Sequence, residues 1–220
     1  MIKLNWRLDV LPLKTKKALD YLGAESWLAR AGWYLAGGTA LALQTGHRQS
    51  VDLDFFTPEK TFAPASVVTH FPQDVWQAEI VKEGTIYGAV KGAKVSFIAY
   101  PFFVPVMPKL KYHGIEVLDK DDIAVMKIVA VSQRGRKRDF LDLFWYIKSV
   151  APLASVINKL PRQYPTVAHD FHHIIKSLTY FADAEDDPMP EIFFKATWAE
   201  VKKFFQAEIK KIAIDLLGLN

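Results

Sequence analysis

Cysteine is absent from these 220 residues. Disulfide staples and thiolate-held zinc or iron–sulfur centres are therefore excluded, and the composition suits a reducing, cytoplasmic compartment. No apolar run approaches the roughly 20 residues that a membrane helix needs, so no membrane partner is expected. The opening stretch, MIKLNWRLDVLPLK, is interrupted by Lys3, Arg7, Asp9 and Lys14, so it forms no signal-peptide apolar segment. Internal repeats, low-complexity tracts and long linkers are missing as well. Neither sign of charge dominates: 28 Lys and Arg stand against 24 Asp and Glu, a formal net charge of +4. That modest basic tilt is compatible with a polyanionic substrate and decides little by itself.

What is present is apolar material. Hydrophobic residues make up 50% of the chain and aromatics 13%, enough to bury a full core without covalent staples. Apolar spacing predicts a helix over 14–31, a short strand over 34–36, a short helix over 39–45, a strand over 51–56 and a helix over 62–70. Three strand patterns follow, over 76–82, 85–90 and 94–100. Glu83-Gly84 and Lys91-Gly92 separate them, which reads as an antiparallel meander beside the 51–56 strand. Another strand is expected over 112–118. From Asp121 onward the pattern is helical, over 122–133, 137–150, 153–160, 168–181 and 191–217, with a polar loop at 184–190. The fold class is thus α+β, with an α+β core over 1–118 followed by a helical region over 119–220.

The chemistry concentrates in YLAGGTALALQ at 34–44 and GHRQSVDLDFF at 46–56. Residues two apart in a strand project to the same side, so Asp52 and Asp54 face one way while Val51, Leu53 and Phe55 face the core. Adjacent carboxylates raise each other's pKa unless a cation neutralises them. Magnesium or manganese, hard ions with a taste for oxygen ligands, would do so and would bridge substrate phosphates. Gly37 and Gly38 lie between a strand and a helix, where a backbone without Cβ atoms approaches a phosphate closely. The helix N-terminus would direct free N–H groups at it, and Thr39 can cap that helix or donate its hydroxyl to a nucleotide. A lone Asp-x-Asp is usually a solvated strand face, and a lone Gly-Gly is usually a turn. Their combination at this spacing is what points to a site.

The Gly-Gly turn, short helix and Asp-x-Asp resemble the signature of the nucleotidyltransferase superfamily. More narrowly, Gly-Gly-Thr-Ala-Leu followed by His-Arg-x-Ser-x-Asp-Leu-Asp-Phe-Phe is similar to the AbiEii/AbiGii toxins of abortive-infection toxin–antitoxin systems. The related MenT group transfers nucleotides to tRNA 3′ ends. A second block, Asp122 and Lys127 followed by Arg138-Asp139 and Asp142, resembles that family's Asp…Lys…(Arg/Lys)-Asp-x-x-Asp motif. The likeness covers about residues 34–146. It implies a nucleotidyltransferase-type mixed or antiparallel sheet with flanking helices, and an NTP as substrate. It implies an RNA acceptor, tRNA above all, and a cognate antitoxin as partner. It assigns catalysis to Asp52, Asp54, Lys127 and Asp139, metal ligation to Asp52 and Asp54, and nucleotide binding to Gly37, Gly38, Thr39, Arg48, Ser50 and Lys127.

One feature of polymerase-type relatives is not matched. A third carboxylate is expected on the 94–100 strand, where this chain has Ser96. Glu79 is another strand acid, of unfixed direction. Activation of the attacking hydroxyl then falls to Asp54 or to the metal alone. Two further functions stay open: a nucleotide-binding interaction module without transferase activity, and kinase-like transfer of a γ-phosphoryl group to a protein or RNA hydroxyl. The remaining features read blandly. His172-His173 lack partners at zinc-ligand spacing, and Ser50 and Thr39 have no histidine in a nucleophile setting. The aromatics Phe193, Phe194, Trp198, Phe204 and Phe205 read as core, and Arg134 to Arg138 as an interhelical basic turn.

Overall fold

The computed structural model describes residues 5–217, with side chains to 212. The first four residues of the N-terminal stretch and the last three of the helical region lie outside the described residues. In chain order, a 3-10 turn at Leu8–Val10 precedes α1 (Leu13–Ala24), α2 (Trp27–Arg30), β1 (Tyr34–Ala36), α3 (Gly37–Thr45), β2 (Leu53–Thr57) and α4 (Ala65–Val68). Five strands follow: β3 (Trp76–Lys82), β4 (Thr85–Val90), β5 (Ala93–Ala99), β6 (Leu110–Tyr112) and β7 (Ile115–Val117). The rest is helical: α5 (Lys120–Arg134), α6 (Lys137–Ser149), α7 (Leu153–Ile157), α8 (Leu160–Gln163), α9 (Phe171–Ser177), α10 (Ala182–Glu185) and α11 (Trp198–Leu217).

The seven strands form one mixed sheet in the order β3-β4-β5-β2-β1-β7-β6. β3, β4 and β5 make the antiparallel meander, but β5 joins β2 in parallel, with Asp54 opposite Ser96. β1 runs antiparallel to β2, with Ala36 opposite Asp54. The turn after β1 is thereby placed beside the acid pair. Leu35, Leu53, Phe55 and Phe97 are fully buried and tie the central strands to the helical layer.

Several elements differ from the sequence expectation for identifiable reasons. The 14–31 helix breaks into two because Glu25 is extended, with φ −84° and ψ 125°. The β6–β7 turn sits against that break. The Gly114 amide donates to the Gly23 carbonyl at 2.8 Å, and a Cβ on Gly114 would meet the Glu25 carbonyl oxygen at 2.7 Å. The 112–118 strand is instead this hairpin, which turns at His113 with φ 49°. Val51 is 40% exposed rather than in the core, because the strand begins only at Leu53. The 62–70 helix shrinks to α4, and α9 begins only where Asp170 caps it by accepting from the His173 amide. The last helix begins at Trp198 rather than 191, since Ile192 bridges to Arg48 and the Phe193 amide donates to the His47 carbonyl. Phe205 is buried as expected, but Phe193 is half exposed. Residues 182–185 make a helical turn at the start of the expected polar loop.

α5 carries the clearest end signals. Asp119 caps its start by accepting from the Asp121 amide at 2.8 Å, and Gly135, at φ 50°, ends it in the left-handed conformation. That fixes how Lys127, in α5, meets Asp139 and Asp142, in α6. Among the described residues no single helix is long and apolar enough to cross a membrane.

Candidate active site

The site grows from the β1–α3 turn. Gly37 has φ +72°, a conformation that an L side chain adopts only with strain. A Cβ there would stand 3.2 Å from Oδ2 of Asp54. Gly38 is required more strictly. A Cβ on it would come within 2.2 Å of Nη2 of Arg48, a guanidinium that is itself pinned. The glycine pair therefore leaves room for a carboxylate on one side and a buried cation on the other.

Asp54 is half-buried on β2, and Ser96 on the neighbouring strand donates its hydroxyl to Asp54 Oδ1 at 2.6 Å. Burial pushes the Asp54 carboxyl above its ordinary range, and the nearby Asp52 charge adds to the rise although Ser96 opposes it. Asp52 lies one residue before β2, with Oδ2 3.2 Å from Nη1 of Arg138. Thr39 and Ser50 share a hydrogen bond of 2.7 Å, and the Thr39 hydroxyl donates to the Asp52 carbonyl. Thr39 does not cap α3; its hydroxyl holds the 50–52 segment against the helix start.

Beneath the glycines lies a buried charge network. Asp142 is fully buried and accepts from Arg48 Nε at 2.6 Å, Arg48 Nη2 at 3.0 Å and His47 Nε2 at 2.8 Å. Lys127 Nζ contacts Asp142 Oδ2 and Asp139 Oδ1, both at 2.6 Å. Burial would raise both carboxyls, but the cations override it. Arg48 and Lys127 hold Asp142 well below the usual carboxylate range, and Lys127 with Arg134 lowers Asp139. Burial lowers the Arg48 guanidinium, and Asp142 more than restores it. Burial pushes the His47 imidazole down, although Asp142 opposes it.

These elements open onto a cavity of about 580 Å³. Gly37, Gly38, Thr39, Arg48, Ser50, Asp52, Asp54 and Lys127 all line it, so the structure brings the two sequence blocks to one wall. Asp139 does not reach the cavity. It is fully buried behind Lys127, where it holds that amine. Arg48 and Lys127 each reach the wall already paired with carboxylate, and the two anions and two cations balance. The exposed positive charge comes from Arg134 and Arg138, whose side chains are 55% and 47% accessible, and from exposed Lys94 in the lining. Arg138 pairs with Asp52, while Asp142 is taken by Arg48.

The family profile for the nucleotidyl transferase AbiEii toxin of type IV toxin–antitoxin systems matches residues 28–101 and 77–215. The chain belongs to this AbiEii family. An uncharacterised Aquifex aeolicus protein is 36% identical over 185 residues, covering 81% of this chain and 87% of its own length. Among solved structures, the Helicobacter pylori protein JHP933 is 19% identical with a TM-score of 0.52, over 96% of this chain and 98% of that one. MenT4, a nucleotidyltransferase toxin of Mycobacterium tuberculosis, is 14% identical with a TM-score of 0.50, over 90% and 86%. At these identities the likeness is one of fold: the mixed sheet with flanking helices is a nucleotidyltransferase fold.

In this AbiEii-family chain, sequence reasoning read Asp142 as a motif position that Arg138 could pair with, and gave His47 no role. The only available signal was that His47 and Arg48 precede the Asp-x-Asp by a few residues. Tyr100, on the far wall of the cavity, was legible only as a strand end. His173 Nε2 lies 3.0 Å from the Ser132 carbonyl.

Proposed function

We propose that this chain moves a nucleoside monophosphate from an NTP to an acceptor hydroxyl of RNA, with a tRNA 3′ end as the leading acceptor, and that a cognate antitoxin restrains it. Membership of a nucleotidyltransferase toxin family supports the transfer and the antitoxin. The observation that carries the site is the contact of the Gly37–Gly38 turn with the Asp54 carboxylate at the cavity wall, two residues from Asp52. In this reading residues 1–118 supply the carboxylates and the helical region 119–220 supplies Lys127 and its supports.

The donor set suits a magnesium or manganese ion. Asp52 and Asp54 offer hard oxygen atoms, and Asp54 carries a proton affinity raised by burial and by its neighbour, the unfavourable charge that a cation relieves. Two carboxylates are enough where substrate phosphates complete the shell. Asp52 and Asp54 would hold the ion, which would offset phosphate charge and acidify the acceptor hydroxyl. The triphosphate lies along the Gly37–Gly38 turn and the α3 N-terminus. Arg138 and Arg134 face its charge from the rim, and Lys127, held by Asp139 and Asp142, meets it from the floor as a point charge. The acceptor oxygen forms a bond to the α-phosphorus, the bond to the bridging oxygen breaks, and pyrophosphate leaves. With Ser96 where a third acid would stand, Asp54 is the carboxylate that takes the hydroxyl proton.

The same serine favours a second reading, a nucleotide-binding module without transferase activity. The test is incubation with each α-labelled NTP, magnesium or manganese, and total tRNA, beside an Asp54→Ala control. Label on tRNA that is lost in the control supports transfer and names the base. NTP affinity without transferred label supports the module, and label that moves only from the γ-position supports kinase-like transfer.

A further inference from the structure

Nucleotidyl transfer has two substrates, and the cavity beside Asp54 accounts for one. A second cleft of about 400 Å³ opens next to it, and Tyr100 and Gln133 line both. Each volume lies in the range of roughly 300–1,000 Å³ that takes a small organic molecule. The second cleft lies on the helical side, between the 101–108 loop, the C-terminal half of α5 and the 164–174 segment.

An aromatic series joins the two. Phe56, in the wall of the first cavity, stands edge-on to Tyr100 at 5.6 Å between ring centroids. Tyr100 in turn stands edge-on to Phe102 at 6.1 Å and to Tyr164 at 6.2 Å, both of which line the second cleft. Phe102 is 51% exposed, so a ring face is open to a ligand. Its loop is held in place. The Val106 and Met107 amides donate to buried Asp122, and the Val104 amide donates to the Gln163 carbonyl. The polar groups at the mouth are largely used by the protein. His169 Nε2 lies 3.1 Å from the Tyr164 carbonyl, and Asp170 accepts from the His173 amide. What faces the cleft is therefore largely ring and aliphatic surface, with exposed Gln133 shared by both cavities and exposed Arg134, next to it in the chain, lining the first.

Of this series Phe102 is the exposed ring, and Tyr164 is buried. An exposed ring next to cations that face a phosphate site is the means by which proteins hold single-stranded nucleic acid: a base stacks and the backbone follows the positive charge. We infer that the second cleft is the acceptor subsite, which holds the nucleobase of the acceptor RNA's terminal nucleotide against Phe102. Arg134, in the first cavity beside the shared Gln133, faces the adjoining phosphate, and the terminal sugar hydroxyl is presented to the cavity of Asp54. The inference rests on the transferase reading for the direction of the strand, but the stacking itself does not need turnover.

The probe is a short oligoribonucleotide ending in 2-aminopurine, whose fluorescence falls when the base stacks, titrated into the full chain without NTP. Wild type should quench it saturably. Phe102→Ala, at an exposed position, and Val167→Trp, which fills the cleft, should each weaken binding about tenfold, the effect of one lost base stack. Affinity for NTP should be unchanged in both. No quenching by wild type, equal quenching by both variants, or displacement of the probe by NTP alone would overturn the subsite. Transfer of label to protein with no oligonucleotide binding would do the same. Quenching by a wild type that transfers no label would leave the subsite standing and remove the transferase reading instead.

Discussion

Replacing Asp142 by Asn changes one charge and almost no volume, which makes it the sharpest probe of the network under the glycine turn. The wild-type carboxylate accepts three hydrogen bonds from His47 and Arg48 and meets Lys127 at 2.6 Å, with no exposure to solvent. With Asn, Arg48 and Lys127 share a single buried anion, Asp139, and one positive charge is left without a partner. Removing one member of a buried pair costs about 3–5 kcal/mol, far more than the pair contributes relative to an apolar replacement. For a chain of 220 residues each kcal/mol moves Tm by about 2–4 °C, so the loss should be about 6–20 °C. Thermal unfolding by circular dichroism at pH 7 reads it directly. Adding Arg48→Met to the Asn variant removes the stranded cation and should recover at least about 1 kcal/mol. A single variant within about 1 kcal/mol of wild type, or a double variant that is merely additive, would refute the argument. The pH dependence gives a second check. Because the folded pKa of Asp142 is depressed, its contribution is complete above the ordinary carboxylate value near 4 and is lost as pH falls below that value. The gap between wild type and variant should narrow there.

Asp54→Asn should act in the opposite sense on stability. Its folded pKa is raised, so the ionised group weakens the fold at neutral pH; the variant should melt higher than wild type at pH 7, with the gain shrinking as pH falls to the ordinary carboxylate range. The same variant should lose transfer and the stabilisation of about 2.7 kcal/mol that NTP with magnesium gives wild type at 100 times Kd. Gly38→Ala should cost about 1–3 kcal/mol and weaken NTP binding, because Arg48 is fixed by Asp142 and cannot move out of the way; calorimetry that finds wild-type affinity would refute it. Arg138→Gln should change stability by less than about 1 kcal/mol, as expected for a half-exposed pair, while raising the KM for NTP severalfold. Unchanged KM would remove Arg138 from the site.

The acid pair and the glycine turn were legible in the sequence because their chemistry is local. A period of two sets Asp52 and Asp54 apart from Leu53 and Phe55, and a strand–Gly–Gly–helix order has few uses. The end of α5 was legible for the same reason, since Gly135 acts on its own helix, whereas its start falls two residues before the expected 122. The resemblance to polymerase-type nucleotidyltransferases put Ser96 on the strand beside the acid pair, and the register sets it opposite Asp54. The break at Glu25 could not be read, because the cause is the β6–β7 turn about 90 residues away. Nor could the late start of α11, since residues 191–193 are held by the backbone of His47 to Gln49.

The sequence by itself determined the α+β class, the family and the candidate residues that line the first cavity, because each rests on a short run of side chains and their spacing. Only the tertiary structure decided what those residues do for one another. Arg48, Lys127, Asp139 and Asp142 read alike on a line of text, as charges free to touch substrate. Packing α5 and α6 against α3 removes water from them, and in that medium each charge must find its opposite. Asp139 and Asp142 thereby become supports, Lys94, Arg134 and Arg138 remain as exposed cations, and an aromatic series leads from the acid pair into a second cleft.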